Sequence, residues 1–357
     1  MNIVTMKGKF KFICLMTAAA ISAGGGICVA GTTAVDPGLA GVPASGATTT
    51  AASTHDALYN AVNGQNQKAD GTNQVASLDG AAGDTLGSAL SVFIQSTFST
   101  DYITPRGLHV SDKGVTWQPL TIVNMDLYNG KGFLTDVTAY GGIWQDWNSQ
   151  QHASNGAFQE IDPFFGVKTT LAKTFTVDLQ YVDFISPNAS TIHLGQNDYV
   201  TEQNLSLKLS YHDTFFKDFS FNPYVNPFYA VAGSSTVVTG KSGNTFDVEI
   251  GAVPTLTIHA IKKYPITLSF PTWVTVGPKD FWDATGQTNN NFGVLSSGVQ
   301  LEVPLSFIPI KFGAWSAFAG FQYYNELNDN LMKASTILGT GGHRNIYVGT
   351  AGVNVFF

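Results

Sequence analysis

Charged side chains are scarce in this 357-residue chain. They make up 12% of the residues, about half of the roughly 25% that is usual in soluble globular proteins. Acidic residues outnumber basic ones by 25 to 18, which gives a formal net charge of −7. A chain of this balance lacks the basic patch that a phosphate backbone requires, so the composition argues against nucleic acid as a partner.

Cysteine occurs only twice, at Cys14 and Cys28, both within the first thirty residues. This stretch carries lysines near its start, then the apolar run FICLMTAAAISA, then the small-residue site at 28–30. The pattern predicts that residues 1–30 are a secretory signal peptide, and GGG at 24–26 disfavours the alternative of a membrane anchor. Loss of the signal leaves an exported chain without a disulfide, a thiolate metal site or a cysteine nucleophile.

Long apolar runs are missing after residue 30, where no stretch approaches the ~18 consecutive apolar residues of a transmembrane helix. A location in the membrane would therefore require strands. Residues 31–87 consist mostly of small and polar residues, as in ASGATTTAAS, with hardly an aromatic. Such a composition cannot bury enough apolar surface to offset chain entropy. It predicts a low-complexity, disordered periplasmic segment, and it leaves open whether this segment plugs a pore.

What the chain has in plenty is period-two alternation, from Ser88 onward. In NLSLKLSYH at 204–212, the leucines and Tyr211 share one face while Ser206 and Lys208 share the other. Alternation of this kind predicts strands, and no segment after residue 88 shows a convincing helical repeat, so the predicted fold class is all-β. Twelve strands are predicted, at roughly 88–98, 116–128, 133–147, 158–168, 173–186, 200–212, 219–233, 245–258, 264–277, 292–305, 310–325 and 345–357.

The connections between these strands alternate in length. Those after even-numbered strands are short, as in NGKG and TTLA, and those after odd-numbered strands are long and polar, as in SPNASTIHLGQNDY. A transmembrane barrel produces this alternation, with tight periplasmic turns and longer outer loops. We therefore predict that residues 88–357 form a transmembrane antiparallel up-and-down β-barrel of about twelve strands in the bacterial outer membrane. The alternative is a soluble β-sandwich, which needs neither strands this long nor so few charges.

The chain ends on TAGVNVFF, which continues the alternation to the last residue. Val353, Val355 and Phe357 share one face, predicted to contact lipid, and Asn354 and Phe356 share the other. A last strand ending in phenylalanine is also the usual assembly signal of outer-membrane barrels. The predicted partners are therefore the lipid bilayer, lipopolysaccharide and the outer-membrane assembly machinery.

Several segments resemble known families. YPITLSFPTWVTVG and FGVLSSGVQLEVPLSFIPIKFGAWSAFAGFQYY in the C-terminal third resemble uncharacterised outer-membrane proteins of Gram-negative bacteria. DYITPRGLHVS, AYGGIW, EIDPFFGV and DLQYVDF in the N-terminal half are similar to TorF-like porins. The likeness extends over most of residues 90–357 and rests on the sequence character of the strands, not on a catalytic motif. It implies a fold and a location, and no binding residue is carried over from it.

If the apolar faces contact lipid, the opposite faces line the lumen, where most charges are acidic. Nine carboxylates stand against Lys168 and Lys208. Charges of one sign in a low-dielectric wall select ions, so the sequence predicts a lumen that favours cations or neutral solutes. The alternative for any single residue is that its carboxylate is paired or only keeps the interior wet. The predicted pore-lining residues are Asp126, Asp136, Asp146, Glu160, Asp162, Asp178, Lys208, Asp247, Glu249 and Glu302.

Together these features predict a porin for passive diffusion of small polar solutes. Twelve strands should leave a narrow, partly obstructed pore, and the loops at 278–290 and 326–343 are expected to fold inward and set the constriction. The alternative is a non-conducting barrel whose loops serve adhesion or bind a partner. The sequence does not decide whether the barrel forms an oligomer. Since the sequence contains no nucleophile, metal-ligand or cofactor-loop motif, we predict no enzyme, no metal and no cofactor.

Overall fold

A computed structural model describes residues 90–150, 157–185, 201–233, 245–259, 265–278, 281–282 and 291–357. The predicted signal peptide at 1–30 and the predicted low-complexity segment at 31–87 lie outside these ranges and stay predictions. Within the described residues, no helix has the length and apolar character needed to cross a bilayer.

The described residues form twelve barrel strands, three of which are each interrupted once. Most begin and end within two residues of the predicted bounds. The remaining differences lie at the strand ends because alternation marks the body of a strand more sharply than its ends. The strands are β1 (Leu90–Ser99), β2 (Thr116–Asn129), β3 (Leu134–Asn148), β4 (Phe158–Leu171), β5 (Phe175–Ile185), β6 (Thr201–Tyr211), β7 (Phe219–Ser220 and Pro223–Gly233), β8 (Thr245–Ala252 and Thr255–Ile258), β9 (Ile266–Ser269 and Thr272–Val276), β10 (Phe292–Pro304), β11 (Ala314–Glu326) and β12 (Asn345–Phe356).

Each strand pairs antiparallel with its neighbours in the chain, and the ring closes where β12 meets β1. The closing register runs from Phe93 opposite Phe356 to Ser99 opposite Thr350. Beyond it, the main chain of Phe357 exchanges two hydrogen bonds with Val92, at 2.9 and 3.1 Å. Closure removes the open edges that a flat sheet would leave. The predicted all-β, antiparallel, up-and-down barrel of twelve strands is confirmed.

Side chains on the strands point alternately out of and into the barrel, with apolar residues outside. On β6, Leu205 and Leu207 are exposed, whereas Asn204, Ser206 and Lys208 are buried inside. Among the buried side chains, polar and charged residues outnumber apolar ones. This balance is the inverse of a soluble β-sandwich, whose inward faces form an apolar core. The sandwich alternative is therefore wrong.

The C-terminal strand follows the predicted parity with one exception. Val353 and Phe357 are exposed on the outer face, and Asn354 and Phe356 are buried on the inner one. Val355 was predicted to contact lipid, but only 6% of it is exposed. Gly313, which precedes β11, lies against the Val355 side chain, since a Cβ at Gly313 would fall 2.7 Å from Val355 Cγ2.

The connections after β2, β4, β6 and β8 are short, with three to seven residues between strands. The predicted alternation fails at one point, since 305–313 after β10 is as long as 149–157 after β3, nine residues each. One boundary is wrong. Residues 310–313, predicted as the start of a strand, form a 3₁₀ turn at Ile310–Phe312 that ends at Gly313 with φ +97°. Glycine adopts this left-handed conformation without steric cost, so β11 begins only at Ala314.

A helix in the loop after β11, α1 (Asp329–Leu338), was not predicted. Its signals are present in the sequence. Asn328 caps it by accepting a hydrogen bond from the Asn330 backbone N–H at 3.0 Å, and Gly339 ends it with φ +91°. The helix is too short for its periodicity to stand out from the surrounding polar loop.

The turn between β4 and β5 contains two residues whose backbone conformation is unfavourable for L-amino acids. Ala172 and Lys173 both have positive φ, +49° and +63°, although neither is a glycine. We expect Lys173→Gly to raise the free energy of unfolding by about 0.5–1 kcal/mol, because the Cβ of an L-residue clashes with the backbone in this conformation and glycine has no Cβ. A denaturant titration against Thr174→Gly, at a position without positive φ, measures it. Equal destabilisation by both variants would contradict the expectation.

Candidate channel lumen

The structure places most of the predicted pore-lining residues deep inside the barrel. Two of the ten, Asp126 and Asp136, are only half-buried near the short-turn end, where the Thr138 hydroxyl donates to both at 3.2 and 3.0 Å. The other eight are buried: Asp146, Glu160, Asp162, Asp178, Lys208, Asp247, Glu249 and Glu302. Their inward position is observed, and their role in lining a pore stays a prediction.

The described interior is packed rather than open. Near β2 to β5, the rings of Tyr140, Trp144 and Phe164 belong to one buried apolar cluster. A second cluster, which includes Tyr224 and Trp273, lies across the barrel. These inward aromatic side chains therefore pack against neighbouring rings instead of standing free in the lumen.

The loop at 100–115, between β1 and β2, enters the barrel. Tyr102, Ile103, Arg106 and Leu108 are all buried, in a region that holds a short hairpin of Tyr102–Ile103 with His109–Ser111. Gly107 has φ +92°, and a Cβ at this position would lie 2.8 Å from the Cβ of Val294. Only glycine permits the loop to approach β10 this closely.

Arg106 attaches this loop to the barrel wall. Its Nη1 donates to Glu202 Oε1, its Nη2 to Asn204 Oδ1 at 2.5 Å and its Nε to Asp247 Oδ1 at 3.3 Å. Burial alone would lower the pKa of Arg106, but the carboxylates of Glu202 and Asp247 raise it above its usual value. The guanidinium therefore remains charged inside the barrel.

Three aromatic rings surround the same guanidinium. Its carbon lies 5.7 Å from the ring centre of Phe184, 6.0 Å from that of Phe228 and 5.5 Å from that of Phe281. These distances lie in the range of cation–π attraction. Only Phe281 comes from outside the strands, from the loop after β9.

Tyr102 is the second anchor of the loop. Its hydroxyl donates to Glu160 Oε2, and its ring centre lies 5.7 Å from that of Trp144. Burial, and then the negative charge of Glu160, raises the pKa of Tyr102 well above its usual value. The hydroxyl therefore keeps its proton and donates to the Glu160 carboxylate of β4.

Two outer loops close over this anchored segment. Leu331 and Ala334 of α1 form a buried cluster with Leu108 of the inserted loop and with Phe281 and Trp282. The inward fold predicted for 326–343 is thus observed. For 278–290, Phe281 and Trp282 are buried, while 283–290 lie outside the described residues.

Toward the short-turn end, Lys208 is surrounded by acidic and aromatic groups. It lies opposite Asp178 in the β5–β6 register, and Asp178 accepts a hydrogen bond from the Tyr140 hydroxyl at 2.6 Å. The Lys208 Nζ lies 3.9 Å from the ring centre of Tyr224, whose hydroxyl donates to Glu249 at 2.6 Å. These carboxylates therefore belong to a paired network, as the sequence alternative allowed.

Three buried charged residues of the interior were not predicted from the sequence. Glu202 and Glu326 are buried inward, and both follow the strand parity, Glu202 with Asn204 and Glu326 with Tyr324. Arg106 lies in a loop, where strand alternation cannot predict whether a side chain faces inward. The sequence signal that remains is the presence of Ile103, Leu108 and Val110 close to it, since three large apolar residues are unusual in a short exposed loop.

Comparison with solved structures finds outer-membrane proteins at low similarity. The porin NanC matches with a TM-score of 0.39 and 10% identity, over 74% of this chain and 98% of that one. An outer-membrane channel from Pseudomonas putida matches with 0.41 and 10%, over 75% and 95%. Outer membrane phospholipase A from Escherichia coli matches with 0.36 and 14%, over 74% and 92%.

The sequence matches no protein-family model and no curated protein. The resemblance to TorF-like porins therefore stays a prediction.

Proposed function

We propose that this protein is a narrow outer-membrane channel for small solutes, and not an enzyme. The observation that carries the proposal is the inverted barrel, with leucines such as Leu205 and Leu207 outside and Asn204, Ser206 and Lys208 inside. Hydrocarbon satisfies an apolar outer surface, and a closed ring satisfies every strand edge within it. Lipid and lipopolysaccharide would contact the outside, and the assembly machinery would insert the chain.

The charge inside the barrel supports a preference for cations or neutral solutes. On the described strands, nine buried carboxylates stand against one buried lysine, Lys208. Glu202 and Glu326 add to the acidic excess expected from the sequence. An acidic lumen raises the local concentration of cations and excludes anions.

Passage requires a change in the inserted loop. Arg106, Tyr102 and Leu108 occupy the upper lumen, so the structure corresponds to a closed or weakly conducting state of the proposed channel. We propose that the loop at 100–115 is its gate and that conductance is small and intermittent.

Planar-bilayer recording in a KCl gradient tests the proposal. We expect stepwise conductance and a reversal potential of the sign that indicates cation preference. Asp247→Asn with Glu249→Gln should reduce that preference, since it removes two buried charges. Asp329→Asn, at a surface-exposed carboxylate that pairs with Arg344, is the matched control and should leave it unchanged.

Two outcomes would overturn the proposal. An anion preference would refute the acidic-lumen mechanism. A folded, heat-modifiable protein without conductance, both as the wild type and as Arg106→Ala, would favour the alternative of a non-conducting barrel that presents its loops to a partner.

A further inference from the structure

The surroundings of Arg106 have the composition of a binding site for an organic cation. All three guanidinium nitrogens donate to wall residues, namely to the carboxylates of Glu202 and Asp247 and the amide oxygen of Asn204. A planar guanidinium fits such a fork of acceptors better than an ammonium does. Rings on several sides complete the enclosure.

The barrel wall, not the loop, supplies almost all of this enclosure. Phe184 lies opposite Glu202 in the β5–β6 register, and Phe228 lies opposite Asp247 in the β7–β8 register. Four adjacent strands therefore hold the acceptors and two of the rings in fixed positions. Because the strands determine this geometry, the site would keep its shape if Arg106 withdrew.

We propose that this wall site, formed by Phe184, Glu202, Asn204, Phe228 and Asp247, binds solutes that carry a guanidinium group, and that Arg106 occupies it as a tethered substitute for them. The inference rests on the proposed channel only for the route by which the solute arrives. A solute that takes the place of Arg106 removes the main polar anchor of the loop at 100–115. Binding and opening of the lumen are then one event.

Because Arg106 is attached to the loop at 100–115, a free solute must compete with it for the wall site. A group held on a short loop competes at an effective concentration of roughly millimolar or more. A free guanidinium compound therefore binds the wild type weakly and binds a variant without Arg106 much more tightly. An alkylammonium of the same length binds less well, because it lacks the planar fork.

Isothermal titration with agmatine, on protein folded in detergent micelles, tests the site. We expect Arg106→Ala to bind agmatine about tenfold or more tightly than the wild type does, and more tightly than it binds cadaverine. Adding Glu202→Gln and Asp247→Asn should weaken binding to Arg106→Ala about tenfold, as expected for loss of charge-assisted hydrogen bonds. Equal binding by Arg106→Ala and the triple variant, or no gain over the wild type, would overturn the proposal.

A second measurement needs no substitution in the site. Hydrogen exchange at the amides of 100–115 in the wild type should accelerate at high agmatine concentration and not at equal ionic strength of NaCl. Unchanged exchange would overturn the displacement of Arg106, even if Arg106→Ala fails to fold. Neither experiment needs a bilayer current, so a protein that binds agmatine without conducting would refute the channel and uphold the site.

Discussion

Replacing Arg106 by alanine is expected to lower the free energy of unfolding by about 3–5 kcal/mol, because removal of one member of a buried ion pair leaves its partners uncompensated. Glu202 and Asp247 are each almost fully buried, and Arg106 itself is only 6% exposed. Without the guanidinium, both carboxylates would remain inside the barrel without their counter-charge.

The triple variant with Arg106→Ala, Glu202→Gln and Asp247→Asn separates charge from packing. It should recover most of the lost stability, since no unpaired charge remains at the wall. Arg106→Met, which keeps most of the side-chain volume, should be nearly as unstable as Arg106→Ala. Denaturant titrations of protein folded into lipid vesicles measure all of these variants. A triple variant as unstable as Arg106→Ala would show that the guanidinium contributes by packing alone.

Replacing Leu207 by arginine is expected to lower the free energy of unfolding in a bilayer by about 2–4 kcal/mol, the cost of an arginine near the midplane on the lipid face of a barrel. Leu207 lies in the middle of β6, pairs with Leu179 on β5 and is 38% exposed. In the proposed membrane location, that exposure is contact with hydrocarbon.

Depth supplies the control for this prediction. Tyr211→Arg, at the end of the same strand and on the same outer face, should cost only about 0–1 kcal/mol, since arginine reaches the interface there. Leu207→Met keeps an apolar surface and should change little. The measurement is again a denaturant titration in vesicles. A Leu207→Arg variant as stable as the wild type would mean that this face does not contact lipid, and the proposed location would be wrong.

The barrel could be predicted from local patterns. In β6, each residue from Asn204 to Tyr211 shows by its polarity whether it faces in or out. The same parity would have located Glu202, which lies just beyond the clearest stretch. The exceptions are local as well. Val355 lies against Gly313, and α1 is a short helix inside a polar loop, so neither follows from period two.

The candidate site could be predicted only in part, since parity assigns a residue to the interior without saying what it meets there. Asp247 and Glu249 share one face of β8 and are both buried, yet their partners, Arg106 for one and the Tyr224 hydroxyl for the other, lie on separate elements. No sequence spacing connects those elements, because their distance across a closed ring depends on strand tilt and register.

The alternation of polar and apolar residues was therefore sufficient for the ring of strands and its acidic interior, because every strand repeats the same contrast between its two faces. The insertion of the loop at 100–115 and the enclosure of Arg106 were not accessible in this way. They depend on Phe184, Glu202, Phe228 and Asp247 meeting around a single loop residue. Such contacts come into existence only when distant strands close into a barrel and determine what fits inside it.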